Sequence, residues 1–223
     1  RAAQRLMSRE RYDATEIRTI LDDIATDDLR AGAVIRRLRA LIRNGETVPQ
    51  QTSPNDVVRD VLELAHNDLI LREVTVTTQL EPSLPNIPAD GVQLQQVVLN
   101  LIVNACDAMI DQPRAERHLL VTTRAEDGGV ELSVSDRGTG IVSGAVDSVF
   151  EPFMTTKEHG LGLGLAICRS IVSAHGGRMW AVNNPDIGAT FHLRLPFEHP
   201  SQANAVVVPR GAPFPSASQT VNR

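Results

Sequence analysis

Apolar and polar positions follow two rhythms along this chain, and the changes of rhythm divide it into three zones. From residue 17 to residue 42 the apolar positions are Ile17, Ile20/Leu21, Ile24, Ala31, Val34/Ile35, Leu38 and Leu41/Ile42. Steps of three and four predict a long amphipathic helix with a narrow apolar seam. Asp27 and Asp28 interrupt the seam once, and Asn44-Gly45 stops it. Residues 2–7 read as the end of another helix and residues 8–13 as a loop. A helix this long and narrow is not stable alone. The first zone, 1–47, is therefore expected to be a helical hairpin that needs a partner helix or a second subunit.

The second zone, 52–198, alternates the helical and strand periods. Pro54-Asn55-Asp56 opens a helix over 54–67. Val74, Val76, Thr78 and Leu80 alternate as a strand, and 82–88 reads as a loop. Asp90 caps a long helix that reaches about residue 110. Residues 118–124 and 130–135 predict two strands joined by a Gly128-Gly129 turn. A Gly-rich irregular stretch leads to a helix over 161–174, closed by Gly176-Gly177. Residues 178–183 and 189–196 form a last hairpin. This order predicts a mixed, mostly antiparallel sheet with helices on one face, an α+β fold of the α/β sandwich kind. The third zone, 199–223, has no period and is rich in Pro, Ser and Ala, which predicts a disordered tail.

Composition narrows the function classes. Of 223 residues, 42% are apolar and only 3% aromatic, so the core is aliphatic and base stacking is not the main activity. A net charge of −5 argues against a phosphate-gripping nucleic-acid binder. No apolar run approaches the ~20 residues that cross a membrane. Cys106 and Cys168 lie on apolar-periodic segments without metal spacing. They are expected to be reduced core thiols of a cytoplasmic domain. The chain begins on Arg, in helix-like sequence, and is expected to be a piece of a longer protein.

Four stretches carry candidate chemistry. On the helix after Asp90, Gln93, Gln96, Asn100, Asn104, Asp107 and Asp111 make a polar stripe. Asn is a poor helix former, so the stripe is either a solvated face or a site where Asn carbonyls share Mg²⁺ with phosphate oxygens. Asp136-Arg-Gly-Thr-Gly140 follows a strand, and is either a plain turn or a carboxylate and backbone wrapped around a ligand. Phe150 and Phe153, both expected to be exposed, precede Thr155, Thr156 and Lys157, in a hinge with a phosphate contact or in ordinary loop packing. Gly160-Leu-Gly-Leu-Gly164 runs into a helix and suits an anion at the helix N-terminus. It matches neither the dinucleotide fingerprint nor the P-loop.

Taken in order, these stretches resemble the boxes of the GHKL ATPases. Leu94-Gln-Gln-Val-Val-Leu-Asn100-Leu-Ile-Val-Asn104-Ala-Cys-Asp-Ala108 resembles the N box, and Asp136-Arg-Gly-Thr-Gly140 the G1 box. Phe150-Glu-Pro-Phe-Met-Thr-Thr-Lys157 resembles the F box of sensor histidine kinases, and Gly160-Leu-Gly-Leu-Gly-Leu-Ala-Ile167 the G2 box. The first zone is similar to the dimerisation and phosphotransfer hairpin of the same family. The resemblance implies a Bergerat-type ATP-binding fold over 52–198.

The resemblance also implies roles. Asp136 would accept the adenine amino group. Asn104 would ligate Mg²⁺, assisted by Asn100, and Lys157 would approach the phosphates. Asp107, Gly138, Gly140, Ile141, Phe150, Thr155, Thr156, Gly160, Leu161, Gly162, Leu163 and Gly164 would line the ATP site, with 142–159 as a lid. Hydrolytic members of the superfamily carry Glu where Asn100 stands, and an amide is no general base. Transfer of the γ-phosphoryl group to a protein histidine is therefore implied, followed by relay to the receiver domain of a response regulator. The family's acceptor histidine lies on the first hairpin helix. The first histidine here is His66, so the acceptor is expected to be missing. A homodimer through the hairpin is implied; no nucleic-acid contact is expected, and no membrane contact within this piece, with any membrane anchor of the longer protein lying upstream. Two other readings are a serine kinase or anti-sigma-like switch of the same superfamily, and an ATP-binding module without kinase activity. His159 is expected in the lid facing solvent, and His175 at a helix C-terminus.

Overall fold

The structure, a computed structural model, describes residues 50–142, 144–155 and 161–198. The expected hairpin and the expected tail lie outside the described residues. The elements are β1 (Gln50–Thr52), α1 (Pro54–Leu71), β2 (Thr75–Leu80), β3 (Ile87–Ala89), α2 (Gly91–Ala108), β4 (His118–Glu126), β5 (Gly129–Ser135), α3 (Gly164–Ala174), β6 (Arg178–Asn183) and β7 (Ala189–Pro196). Short 3-10 turns occur at Arg114–Glu116 and Ser148–Phe150.

Five strands form one sheet in the order β2-β4-β5-β7-β6. Only β2 and β4 are parallel, because the chain between them crosses over through α2. The other neighbours are antiparallel, and the mixed sheet matches the sequence expectation. In β7, Ala189, Phe191, Leu193 and Leu195 are buried, while Thr190, His192, Arg194 and Pro196 are half-buried. The buried set joins the apolar stripes of the three helices in one core, which includes Val58, Val61, Leu101, Ile102, Ile171 and Val172. The opposite face is polar: His192 bonds Glu131 at 3.0 Å and stacks on Trp180.

Four boundaries differ from the expectation, each for a local reason. Helix α1 continues past residue 67 because Ala65 and Leu69 extend its buried stripe. It ends in a Schellman motif: Val74 N–H donates to Leu69 O, Glu73 N–H donates to Ile70 O, and Glu73 takes φ 54°. The expected loop over 82–88 contains β3, which pairs with β1 as a separate two-stranded ribbon. Its Pro88 suits such an edge. The β4–β5 turn is Asp127-Gly128, both at positive φ, and Gly129 already belongs to β5. Helix α3 begins at Gly164, three residues later than expected.

The caps tie the helices to one another. Asp90 Oδ1 accepts from Val92 N–H at 2.9 Å and Gln93 N–H at 3.1 Å, as its N-cap position requires. The Asp90 N–H donates to His175 Nε2 at 3.0 Å. Nε2 is therefore the unprotonated nitrogen, and Nδ1–H donates to Ile171 O at 2.8 Å. His175 is the C-cap of α3, as expected from sequence, and it also joins that end to the start of α2.

Candidate nucleotide site

Helix α2 carries the polar stripe past two neighbours. Asn100 and Asn104 are both half-buried. Asn100 Nδ2 donates to Cys168 Sγ at 3.6 Å, which sets Asn100 against the first half of α3. One turn beyond Asn104, Asp107 pairs with Arg72 at 2.6 Å, and Arg72 caps α1.

The loop after β5 lies directly on the end of α2. Thr139 N–H donates to Ala108 O at 3.2 Å. A Cβ on Gly138 would fall 2.5 Å from Ala108 O and 2.6 Å from Ala108 Cβ, so only glycine allows this approach. The contact brings Asp136 and the Asn104 helix to one place.

Asp136 is only 2% exposed. Its Oδ1 accepts from Gly138 N–H at 2.8 Å and from Ala189 N–H at 3.3 Å. Among the described residues no donor is directed at Oδ2. Burial pushes the carboxyl above its ordinary range, against the pull of the two backbone N–H groups. Such a carboxylate is held in orientation by the main chain and retains an acceptor for an external donor.

The F box residues divide. Phe150 is buried, contrary to the expectation, and meets Phe191 edge-to-face at 6.2 Å with the Arg169 guanidinium over its ring. It anchors the loop in the core instead of facing a ligand. Phe153 is 75% exposed and holds φ 68°. Its N–H donates to Gly162 O at 3.0 Å. A Cβ on Gly162 would fall 2.5 Å from the Phe153 carbonyl carbon, so the F and G2 stretches touch through their backbones. Thr155 follows, whereas Thr156, Lys157 and Gly160 lie outside the described residues.

Leu161 is exposed and Leu163 half-buried ahead of α3. Among the described residues no side chain caps the first turn of α3, and none lies within 4 Å of a Cβ built on Gly164. The helix start thus has room for an anion beside its N–H groups. Among the described residues no group of three His, Cys, Asp or Glu could hold a metal ion. A divalent cation would instead share its shell between Asn carbonyls and phosphate oxygens. The residues present fit a nucleotide with its cation: a buried acceptor at one end, two Asn in the middle, an open helix start at the other.

The β6–β7 hairpin was expected from sequence, but its contacts with the site were not. Asn184 Nδ2 donates to Asp136 O at 2.8 Å, and a Cβ on Gly188 would fall 2.1 Å from that same oxygen. Asn183 bonds Ile141. The run of Asn, Asn, Pro and Asp between two strands reads as an ordinary turn, so only its three-dimensional neighbours reveal it. The thiols behave as expected. Both are buried, and burial pushes Cys106 up to about 11, far from a reactive thiolate.

These features define an ATP-binding domain of known class. Residues 89–199 match the family described as histidine kinase-, DNA gyrase B-, and HSP90-like ATPase. The sensor protein FixL of Bradyrhizobium diazoefficiens is 41% identical over 182 residues, covering 81% of this chain and 36% of FixL. The catalytic domain of histidine kinase ThkA superposes with a TM-score of 0.60 at 27% identity, covering 68% of this chain and 97% of that one. Full-length ShkA in complex with AMPPNP gives a TM-score of 0.66 at 27% identity, covering 89% of this chain and 42% of that one. ThkA in complex with the response regulator TrrA shares the fold at 21% identity, with a TM-score of 0.65, 88% of this chain and 55% of that chain covered. The chain belongs to the sensor histidine kinases of this ATPase family. It spans about a third of the length of relatives such as FixL.

Proposed function

We propose that this chain binds ATP with Mg²⁺ and donates the γ-phosphoryl group to a histidine of a dimerisation hairpin, for relay to a response-regulator aspartate. The observation that carries the proposal is the contact of Gly138 on Ala108, which puts the buried Asp136 and the Asn104 helix in one site. Asp136 accepts from the adenine amino group, with Gly138, Gly140 and Ile141 beside the base. Asn104 offers its carbonyl to the cation, and Asn100 stands one turn nearer α3. The first-turn N–H groups of α3 receive phosphate oxygens, and Lys157 supplies positive charge there. Asp107 acts at the same edge through its pair with Arg72.

Bound Mg²⁺ supplies charge neutralisation at the phosphates. The chain's own residues orient the nucleotide and offer no general base at Asn100, which favours transfer over hydrolysis. ThkA, solved with its response regulator, supports a receiver domain as the onward partner. A homodimer through residues 1–47 is part of the proposal.

The test is a calorimetric Mg²⁺ dependence. Added Mg²⁺ is expected to tighten ATP binding, and Asn104→Ala is expected to lose about tenfold or more of that gain. An unchanged Mg²⁺ dependence in the variant would count against the assignment.

A further inference from the structure

The β6–β7 hairpin makes a dense set of polar contacts at the site, yet none of its side chains has a role in the chemistry above. Asn183 ends β6. Strand alternation places it on the face of Met179 and Ala181, which is the face the helices cover. Its carboxamide meets the backbone of Ile141 twice. Ile141 N–H donates to Oδ1 at 2.7 Å, and Nδ2 donates to Ile141 O at 2.7 Å. One side chain thus reproduces the paired bonds of a strand neighbour. Gly140 holds φ 70°, and a Cβ there would lie 3.1 Å from Asn183 Oδ1. Its lack of a side chain both turns the loop and leaves space for the carboxamide.

The next residue grips the other end of the same loop. Asn184 Nδ2 donates to Asp136 O at 2.8 Å and to Ile187 O at 3.2 Å. Thr190 Oγ1 donates to Asn184 Oδ1 at 2.6 Å. Residues 136 and 141 are therefore both pinned to one hairpin. The distance between the carboxylate of Asp136 and the backbone at Ile141 is set by β6 and β7 and not by the loop's own preference.

We infer that Asn183 is a positioning residue that makes the site selective for adenine, by fixing Ile141 opposite Asp136. The inference rests on the nucleotide reading. A base with an amino group at position 6 donates to Asp136, whereas guanine presents a carbonyl there. That discrimination depends on the base being held in register, and Asn183 fixes one wall of the register. Among the described residues the side-chain hydrogen bonds of Asn183 go to Ile141 and not to α2 or α3, so a base-indifferent part of the affinity is expected to be independent of it.

The experiment measures ATP and GTP affinity for the full 223-residue chain and for Asn183→Ala, with amide hydrogen exchange on both. Two lost hydrogen bonds predict about tenfold weaker ATP binding. GTP binding is expected to change less than about twofold, so the ATP-to-GTP preference falls. Exchange at the Ile141 amide is expected to accelerate while the β5 and β7 amides keep their protection. Unchanged ATP affinity in the variant would overturn the inference, as would equal weakening of both nucleotides. Failure of the unaltered chain to bind ATP would instead overturn the functional reading and the inference with it.

Discussion

At the residue scale the site turns on one buried charge. Asp136 is nearly inaccessible, and its carboxyl is displaced upward because burial disfavours the ionised form more than two backbone N–H groups restore it. A carboxyl raised in the folded state favours folding below its unfolded value, and that contribution is lost as pH rises through the folded value. Ionisation of this carboxyl is therefore a stability cost, which the proposed function assigns to binding. If Asp136 accepts from adenine as proposed, ATP binding needs the ionised form, and affinity should begin to fall on acidification above the ordinary aspartate value of about 3.9. ATP titrations across that range would show this, and a flat profile down to the ordinary range would contradict it. Asp136 was not legible alone, since a carboxylate before Gly-x-Gly also reads as a plain turn; the order of the four stretches singled it out as a candidate. Its second support, Ala189 N–H, comes from 53 residues away and leaves no local signal.

At the element scale, periodicity recovered the helices and strands that bury a regular stripe. It missed β1 and β3, whose three-residue runs are too short to alternate. It placed the start of α3 too early because Leu161 and Leu163 continue an apolar period that the turn at Gly162, φ 64°, interrupts. Phe150 was misjudged for a related reason: a lone Phe in a loop shows no period, and its burial is decided by Phe191 on β7. The junction between α2 and α3 is the clearest element-level device. His175 accepts from Asp90 N–H and donates to Ile171 O. His175→Ala leaves the Asp90 N–H without its partner, while Ile171 O keeps the backbone N–H of residue 175, and is expected to lower unfolding free energy by about 1–3 kcal/mol. Urea denaturation would measure it, and an unchanged midpoint would show that water replaces the ring without loss.

At the scale of the whole molecule, four boxes in order and the mixed sheet were readable from sequence, and family membership follows from the matched relatives. The β6–β7 hairpin itself was readable, but its grip on the loop between Asp136 and Ile141 was not, because those bonds span more than 40 residues and pass through ordinary turn residues. The 223-residue chain has no histidine before His66. It is expected to bind Mg²⁺–ATP without acquiring acid-labile phosphate, and labelling of the chain by γ-phosphate would contradict the absence of an acceptor. The central claim is that Asp136 serves the nucleotide and not the fold. The most direct measurement titrates Mg²⁺–ATP into the chain and into Asp136→Asn, with melting temperatures alongside. Asn keeps an oxygen for Gly138 and Ala189 N–H but presents no charge to adenine. The account predicts at least about tenfold weaker ATP binding at a melting temperature no lower than that of the unaltered chain. Unchanged ATP affinity, or a loss of binding that comes only with a collapse in melting temperature, would contradict it.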